Sequence, residues 1–131
     1  PVHPRTRKTI AELGLTDRVA AIKDLRTIDP LGYLDFLNLS SGARLVLTDS
    51  GGIQEETTAL GIPCLTLREN TERPITVEMG TNVVVGTDTT KIIAEANAAL
   101  NGSAKKTIRQ PPLWDGRTSE RILDALEQFH S

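Results

Sequence analysis

The residue types best suited to chemistry are concentrated in one short turn, Ser50-Gly51-Gly52. The turn lies between an apolar run at 44–48, which is typical of a strand, and a helical pattern at 52–60. Backbone N–H groups at the start of a helix have no partner within the helix, and the helix dipole favours an anion there. Because glycine lacks a Cβ, a phosphate oxygen can approach the backbone closely, and Ser50 adds a hydroxyl donor. The pattern therefore predicts a phosphate-binding turn.

A plainer interpretation of the same turn stays open. Asp49 or Ser50 could simply cap the helix, with the two glycines serving only to shape the turn. No P-loop lysine follows the glycines and the GxGxxG pattern is absent, so neither of these nucleotide motifs applies.

Two carboxylates, Glu55 and Glu56, follow in the first turns of this helix. Acidic residues near a helix N-terminus are favourable for electrostatic reasons alone, by about 0.3–1 kcal/mol each. Beside a diphosphate, however, they would repel the ligand. One of them is easier to explain if it reaches past the phosphates to a sugar, because a carboxylate can accept hydrogen bonds from both hydroxyls of a ribose.

The next loop of the same kind runs from Arg68 to Pro74 and contains Arg73. An arginine fork binds phosphate oxygens in bidentate fashion. Pro74 is expected to hold Arg73 extended and to begin a short helix. Taken alone, the loop is better explained as a solvated segment with internal Arg–Glu pairs. Two adjacent loops, one with free amides and one with arginines, nevertheless favour a shared anion site.

The elements that must position these loops alternate along the chain. Strands are predicted at 25–28, 44–48, 64–67 and 82–85, helices at 5–13, 33–39, 52–60, 90–100 and 117–129, and a loop at 103–116. Val2 is interpreted as the end of a further strand, and the run at 44–48 as a strand buried on both faces. Short connections indicate βαβ units, hence a parallel sheet with helices on both faces. Ligands bind such sheets at the carboxyl ends of the strands, where both loops begin.

Composition narrows the class of protein. The 131 residues, 38% apolar and 24% charged, suit one ordinary folded domain and exclude a disordered tail. Fifteen basic against seventeen acidic residues argue against a nucleic-acid partner. No apolar run approaches the roughly 18–20 residues that cross a bilayer, so no membrane partner is expected. The single cysteine, Cys64, excludes a disulfide framework, favours a cytoplasmic setting and is expected in the core.

Several strings resemble the non-hydrolysing UDP-N-acetylglucosamine 2-epimerases, and together they cover nearly the whole chain. The most specific are DSGGIQEE at 49–56 and RENTERP at 68–74; the others are VHPRTR at 2–7, PLGYLDF at 30–36, GIPC at 61–64 and GTNVVVG at 80–86. The resemblance implies a Rossmann-like three-layer α/β/α domain with a parallel sheet, one half of a GT-B-type two-domain enzyme. Residues 1–131 are similar to its carboxyl-terminal, UDP-binding domain, and the start without methionine also suggests part of a longer chain.

The resemblance also implies which residues bind UDP. The matching positions are Ser50, Gly51, Gly52 and Arg73 at the diphosphate, Glu56 at the ribose hydroxyls, and Phe36 with backbone around Leu31 at the uracil. Some members of the family carry glutamine at the position of Leu31, so only a backbone role is expected there. No metal and no other cofactor is expected.

Members of this family interconvert UDP-GlcNAc and UDP-ManNAc, through elimination of UDP to a 2-acetamidoglucal and its re-addition. The resemblance implies that the groups acting on the C2 proton lie upstream, in the amino-terminal domain and at an interdomain histidine. This chain is therefore expected to bind UDP without turnover, and His3, in a different motif, to be structural. The implied partners are UDP or UDP-GlcNAc, the amino-terminal domain of the same chain and, in the intact enzyme, a second copy. The implied role is in cell-surface polysaccharide biosynthesis.

Three alternatives stay open at this point. A GT-B glycosyltransferase donor domain would share the fold and the nucleotide site, a hydrolysing 2-epimerase would release free ManNAc, and a regulatory nucleotide-binding module would do no chemistry. The DSGGIQEE string favours the epimerase over the transferase. The abrupt start of the chain argues against a stand-alone module.

Overall fold

A computed structural model describes residues 1–102, 109 and 111–129 of the chain. Two units, Pro1–Leu39 and Ser40–Ser131, are distinguished by their internal contacts. Half of the loop predicted at 103–116, residues 103–108 and 110, lies outside the described residues. Where it is described, the Arg109 N–H donates a hydrogen bond to the Met79 carbonyl at 2.9 Å.

The first unit contains three short helices, α1 (Pro4–Glu12), α2 (Thr16–Ala20) and most of α3 (Tyr33–Ser41). Helix α1 begins with proline, and the Nδ1 atom of His3 caps it by accepting a hydrogen bond from the Arg5 N–H at 3.2 Å. His3 thus has the structural role expected of it. Gly14, with φ of +64°, follows the end of α1, as the sequence predicts. Helix α2 was not predicted, because five residues are too few to show a helical period.

The predictions of a strand at 25–28 and of a strand end at Val2 are wrong. The segment is irregular, and the side chains of Leu25 and Ile28 are 48% and 41% exposed. A single backbone hydrogen bond, from the Val2 N–H to the Ile28 carbonyl at 2.9 Å, connects the two places. One such bond does not make a ladder, which needs repeated pairing along both chains.

The second unit is built on a parallel sheet of three described strands, β1 (Val46–Thr48), β2 (Cys64–Thr66) and β3 (Asn82–Val84). The strands lie in the order β1-β2-β3, with Val46 opposite Cys64 and Cys64 opposite Asn82. Parallel neighbours need crossover connections, and helices supply them here. The predicted α/β class with a parallel, Rossmann-like sheet is confirmed.

The described part of this unit also contains four helices: α4 (Gly51–Leu60), α5 (Pro74–Glu78), α6 (Thr89–Leu100) and α7 (Thr118–Phe129). Helix α4 contacts all three strands, α5 contacts β3, and α6 contacts β2. Gly61, with φ of +72°, ends α4, and the Asp88 carboxylate caps α6 by accepting from the Lys91 N–H at 3.0 Å. Pro74 begins α5, as the sequence predicts.

The most deeply buried residues lie at and around the central strand β2, and many of them are polar. Cys64 and Leu65 are buried, as are Ile62 and Val85. The expectation that β1 is buried on both faces is wrong, since Leu47 is 47% exposed. The faces of a parallel sheet are covered by crossover helices, and β1 is an edge strand of the described sheet. Among the described residues, no helix is long and apolar enough to cross a membrane.

Helix α7 is anchored at its start by an ion pair between Asp115 and Arg121. The guanidinium contacts both carboxylate oxygens, at 2.9 and 2.5 Å, and the Arg117 N–H donates to the same carboxylate at 3.1 Å. The hydrogen bonds from Arg121 and then from the Arg117 backbone lower the pKa of Asp115 from 3.8 to about 2. The pair therefore stabilises the folded state fully above the unfolded pKa of 3.8 and loses this effect as the pH falls towards 2.

The substitution Arg121→Gln is expected to return the pKa of Asp115 towards 3.8, because it removes the largest cause of the shift. The measurement is an acid titration of the Asp115 side-chain carboxyl by carbon-detected NMR in the wild-type chain and the variant. A wild-type midpoint near that of the variant would show that the ion pair does not form in solution.

Candidate functional site

At the start of helix α4, several backbone donors have no hydrogen-bond partner among the described residues. Ser50 is the N-cap residue by position, but its side chain makes no capping hydrogen bond. Its own N–H donates to the Thr48 hydroxyl at 3.0 Å, and its carbonyl accepts the first bond of the helix from the Gln54 N–H at 3.3 Å. The N–H groups that precede Gln54 in the helix, those of residues 51–53, are the ones that a helix cannot satisfy internally. The capping interpretation is therefore wrong for the Ser50 side chain, and its hydroxyl stays available together with these amides.

Packing does not require the glycines of this turn. A Cβ added to Gly51 would meet nothing closer than 3.9 Å, where the nearest atoms belong to Arg73, and one added to Gly52 would meet only the Ser50 hydroxyl at 4.0 Å. Both distances are ordinary van der Waals contacts, and both glycines lie inside α4. Glycine at these positions is better explained by the need for open space in front of the amides than by the turn itself.

Arg73 lies beside the same helix start. Its Nε atom is 3.1 Å from a carboxylate oxygen of Glu55, and both side chains are a little over 40% exposed. A second arginine of the loop, Arg68, pairs within the loop with Glu72 at 3.3 Å. The interpretation of internal Arg–Glu pairs is thus correct for Arg68. Arg73, in contrast, joins the loop to α4, so the two predicted loops meet as expected.

The two glutamates of α4 have different surroundings. Glu55 is the ion-pair partner of Arg73, whereas the half-buried Glu56 makes no hydrogen bond or ion pair to any described residue. In a helix, residues four apart lie on one face, so Glu56 shares a face with Gly52. A carboxylate without a protein partner beside an open backbone turn can accept hydrogen bonds from a ligand.

Leu31 and Phe36 belong to the first unit. Leu31 precedes α3 and is 37% exposed; Phe36 lies in the first turn of α3, is half-buried, and donates its N–H to the Gly32 carbonyl at 2.9 Å. Their contribution to a uracil pocket stays a prediction.

Sequence reasoning missed a set of buried polar side chains behind the two loops. The fully buried members are Gln54, Thr66, Thr76 and Asn82. Two signals were present. Asn82 is a polar residue at the head of an apolar strand, and Gln54 shares the helix spacing of the buried Thr57 and Thr58. Within the described ranges, no cluster of His, Cys, Asp and Glu could hold a metal ion.

Comparison with known proteins identifies the family. The family model described as UDP-N-acetylglucosamine 2-epimerase matches residues 1–127. The chain belongs to this family. The match includes both loops of the candidate site and the segment that carries Leu31 and Phe36.

Individual relatives agree with this assignment. The chain is 46% identical, over 125 residues, to the UDP-N-acetylglucosamine 2-epimerase of Methanocaldococcus jannaschii, covering 95% of this chain and 33% of the relative. A crystal structure of that organism's UDP-GlcNAc 2-epimerase in complex with UDP-GlcNAc and UDP matches with a TM-score of 0.82 and 45% identity, covering 96% of this chain and 34% of the other. The chain is also 40% identical to the UDP-2,3-diacetamido-2,3-dideoxy-D-glucuronate 2-epimerase of Pseudomonas aeruginosa, covering 98% of this chain and 34% of the relative. The chain spans about a third of the length of the 2-epimerases that it matches.

The substitution Gly51→Ala is expected to leave the free energy of unfolding unchanged or to raise it by up to about 1 kcal/mol, since alanine is the better helix former. The matched control is Gly61→Ala, which places a Cβ at a φ of +72° and is expected to cost about 1–2 kcal/mol. Urea unfolding of the wild-type chain and of the two variants measures these free energies. Equal destabilisation by the two substitutions would mean that Gly51 is needed for the turn rather than for open space.

Proposed function

We propose that this chain is the carboxyl-terminal, UDP-binding domain of a longer two-domain 2-epimerase that interconverts UDP-GlcNAc and UDP-ManNAc. The observation that carries the proposal is the start of α4, where amides and the Ser50 hydroxyl lie beside Arg73 and have no partner among the described residues. Support from outside this chain comes from the M. jannaschii family member that was crystallised with UDP-GlcNAc and UDP.

The diphosphate of UDP matches the donors of the site in charge and geometry. The amides of residues 51–53 and the dipole of α4 favour an anion at the helix start. Arg73 contributes a guanidinium that is already held near Gly51 and can bind phosphate oxygens in bidentate fashion. Its pairing with Glu55 also offsets the carboxylate that would otherwise repel the ligand.

The nucleoside is placed by residues beyond the diphosphate. Glu56, which has no partner among the described residues, accepts hydrogen bonds from the ribose hydroxyls. Phe36 and the backbone around Leu31 contact the uracil. The roles of Phe36 and Leu31 at the uracil are supported by the family resemblance. The role of Glu56 at the ribose is supported by the resemblance and by the absence of a partner for Glu56 among the described residues.

The reaction explains why such a site is needed. Elimination breaks the bond between C1 of the sugar and the UDP oxygen while the C2 proton leaves, and re-addition reverses both changes with the opposite configuration at C2. Between the two steps UDP must stay in place, so the contribution of this domain is retention of UDP. The groups that move the C2 proton belong to the amino-terminal domain in this proposal. We further propose that the intact enzyme is a homodimer, that it is located in the cytoplasm, and that it acts in cell-surface polysaccharide biosynthesis.

A second candidate substrate has a specific observation in its favour. The P. aeruginosa relative, whose name gives a UDP-2,3-diacetamido-2,3-dideoxy-D-glucuronate substrate, is as similar to this chain as the Escherichia coli UDP-N-acetylglucosamine 2-epimerase, at 40% identity each. The two substrates share UDP and differ in the sugar. Similarity over this chain therefore supports the nucleotide more strongly than the sugar substituents.

Replacing Arg73 by alanine is expected to weaken UDP binding at least about tenfold, since a hydrogen bond to a charged group is worth about 1.5–3 kcal/mol. Isothermal titration calorimetry of the folded chain with UDP measures the effect. The matched control is Arg68→Ala, in the same loop but paired internally with Glu72, which is expected to change the affinity less than about twofold.

Absence of binding at millimolar UDP, in a chain whose NMR spectrum shows it to be folded, would contradict the proposed nucleotide site. Equal losses from Arg68→Ala and Arg73→Ala would mean that general charge, rather than the position of Arg73, attracts the ligand.

Incubated alone with UDP-GlcNAc, the 131-residue chain is expected to form no UDP-ManNAc, because the proposed acids and bases lie in another domain. Proton NMR of the anomeric region follows the reaction. Interconversion by the chain alone, abolished by Arg73→Ala so that a contaminating enzyme is excluded, would place the chemistry within these residues.

A further inference from the structure

A pair of amide side chains lies buried behind the candidate site. Gln54, on α4, and Asn82, at the head of β3, are both fully buried. The Asn82 Nδ2 atom donates to the Gln54 Oε1 atom at 3.0 Å. On its other side, the Asn82 Oδ1 atom accepts from the Thr66 hydroxyl at 2.6 Å, which fixes Asn82 to the central strand. The pair thus joins α4 to two strands of the sheet.

Two hydroxyls connect this pair to Arg73. The Thr71 hydroxyl donates to Gln54 Oε1 at 2.5 Å and accepts from the Arg73 N–H at 3.0 Å. The Thr76 hydroxyl accepts from Asn82 Nδ2 at 3.1 Å and donates to the Arg73 carbonyl at 2.7 Å. A hydroxyl has one hydrogen to give, so the direction of every bond in this network is determined. The backbone of Arg73 is consequently held at both its N–H and its C=O.

The conformation of Arg73 agrees with control by these bonds. Its φ and ψ are −122° and 61°, so the expectation that Pro74 holds it extended is wrong. From this backbone position the side chain reaches Glu55 and passes close to Gly51. The hydrogen bonds to Thr71 and Thr76 thus outweigh the preference of a residue before proline for an extended backbone.

Stability alone does not account for the amide pair. Replacing both partners of a buried hydrogen bond by apolar groups of similar shape is often nearly neutral, whereas leaving one partner unsatisfied is costly. The Gln54 Nε2 atom is buried without a hydrogen-bond partner among the described residues. The hydrogen bonds of the pair define the geometry of the loop that carries Arg73.

We infer that Asn82 is a positioning residue, which acts with Gln54 through Thr71 and Thr76 to hold Arg73 beside the start of α4. Asn82 itself does not touch the ligand. Its value for UDP binding rests on the proposed function, but the placement of Arg73 can be measured without any ligand.

The test compares three substitutions of buried residues. Asn82→Leu keeps the branched shape of the side chain and removes its hydrogen bonds. Thr76→Val removes the hydroxyl bond to the Arg73 carbonyl and keeps the bond from the Thr76 N–H to the same carbonyl at 3.0 Å. Thr57→Val is the matched control, because Thr57 is equally buried and its hydroxyl donates only within α4, to carbonyls at 2.8 and 3.2 Å.

The first readout is UDP affinity by calorimetry, measured in the wild-type chain and in the Arg73→Ala background. Asn82→Leu and Thr76→Val are each expected to weaken binding about tenfold when Arg73 is present and less than about twofold when it is absent, since residues in one network couple. Thr57→Val is expected to have little effect in either background. A merely structural role predicts equal losses in both backgrounds, and that result would overturn the inference.

The second readout needs no ligand. The NMR signal of the Arg73 Nε–H group reports its pairing with Glu55, and Glu55→Gln gives the unpaired reference. Asn82→Leu and Thr76→Val are expected to move this signal towards the reference, and Thr57→Val to leave it in place. If Asn82→Leu does not fold, Thr76→Val decides. If wild-type UDP binding is absent, the proposed function fails while this signal still supports or overturns the inference.

Discussion

The first amides of an α-helix cannot be satisfied by the helix, and the site in this chain depends on that constraint. The N–H groups at the start of α4 are left without a side-chain cap, although Ser50 and Asp49 are both residue types that commonly provide one. Glycines at 51 and 52 add no side chain beside these donors. The parallel sheet contributes by bringing the loops after β1 and β2 to the same edge.

Charge balance around these donors is the second determinant. An anion at this place would meet the carboxylates of Glu55 and Glu56, so an arginine is needed to make the site attractive. The Arg73–Glu55 pair is well exposed, and exposed ion pairs contribute only about 0–1 kcal/mol to stability. A charge-assisted hydrogen bond to a ligand is worth about 1.5–3 kcal/mol, so the guanidinium can turn from Glu55 to a phosphate without a large cost. The pair holds the arginine near its proposed partner without competing strongly for it.

The sequence could predict what depends on local pattern. The turn at Ser50, helix α4 and the meeting of two loops follow from residue types and spacing, and the burial of Cys64 follows from its position in a strand. The prediction of a strand at 25–28 was wrong because an apolar run forms a strand only if a neighbouring strand is available to pair with it. The burial of Leu47 was overestimated for a related reason, since its position at an edge of the described sheet is a property of strand order.

The largest gap concerns Gln54 and Asn82. A buried glutamine in a helix and a buried asparagine in a strand are 28 positions apart in sequence and contact only after the sheet has formed. Hydrophobic periodicity assigns such residues no role, although a polar residue at the head of an apolar strand is a usable signal. The conformation of Arg73 was missed for the same reason. Its neighbour Pro74 favours one geometry, and contacts made through the core favour another.

The proposed site binds uridine diphosphate at the partner-free amides of α4. The most direct measurement is a UDP titration followed by amide NMR, with the signals of Gly51, Gly52 and Ile53 assigned. We expect these amides to show the largest saturable shifts and to move with a single affinity. Saturable shifts that cluster elsewhere in the chain, with these three amides unchanged, would contradict it.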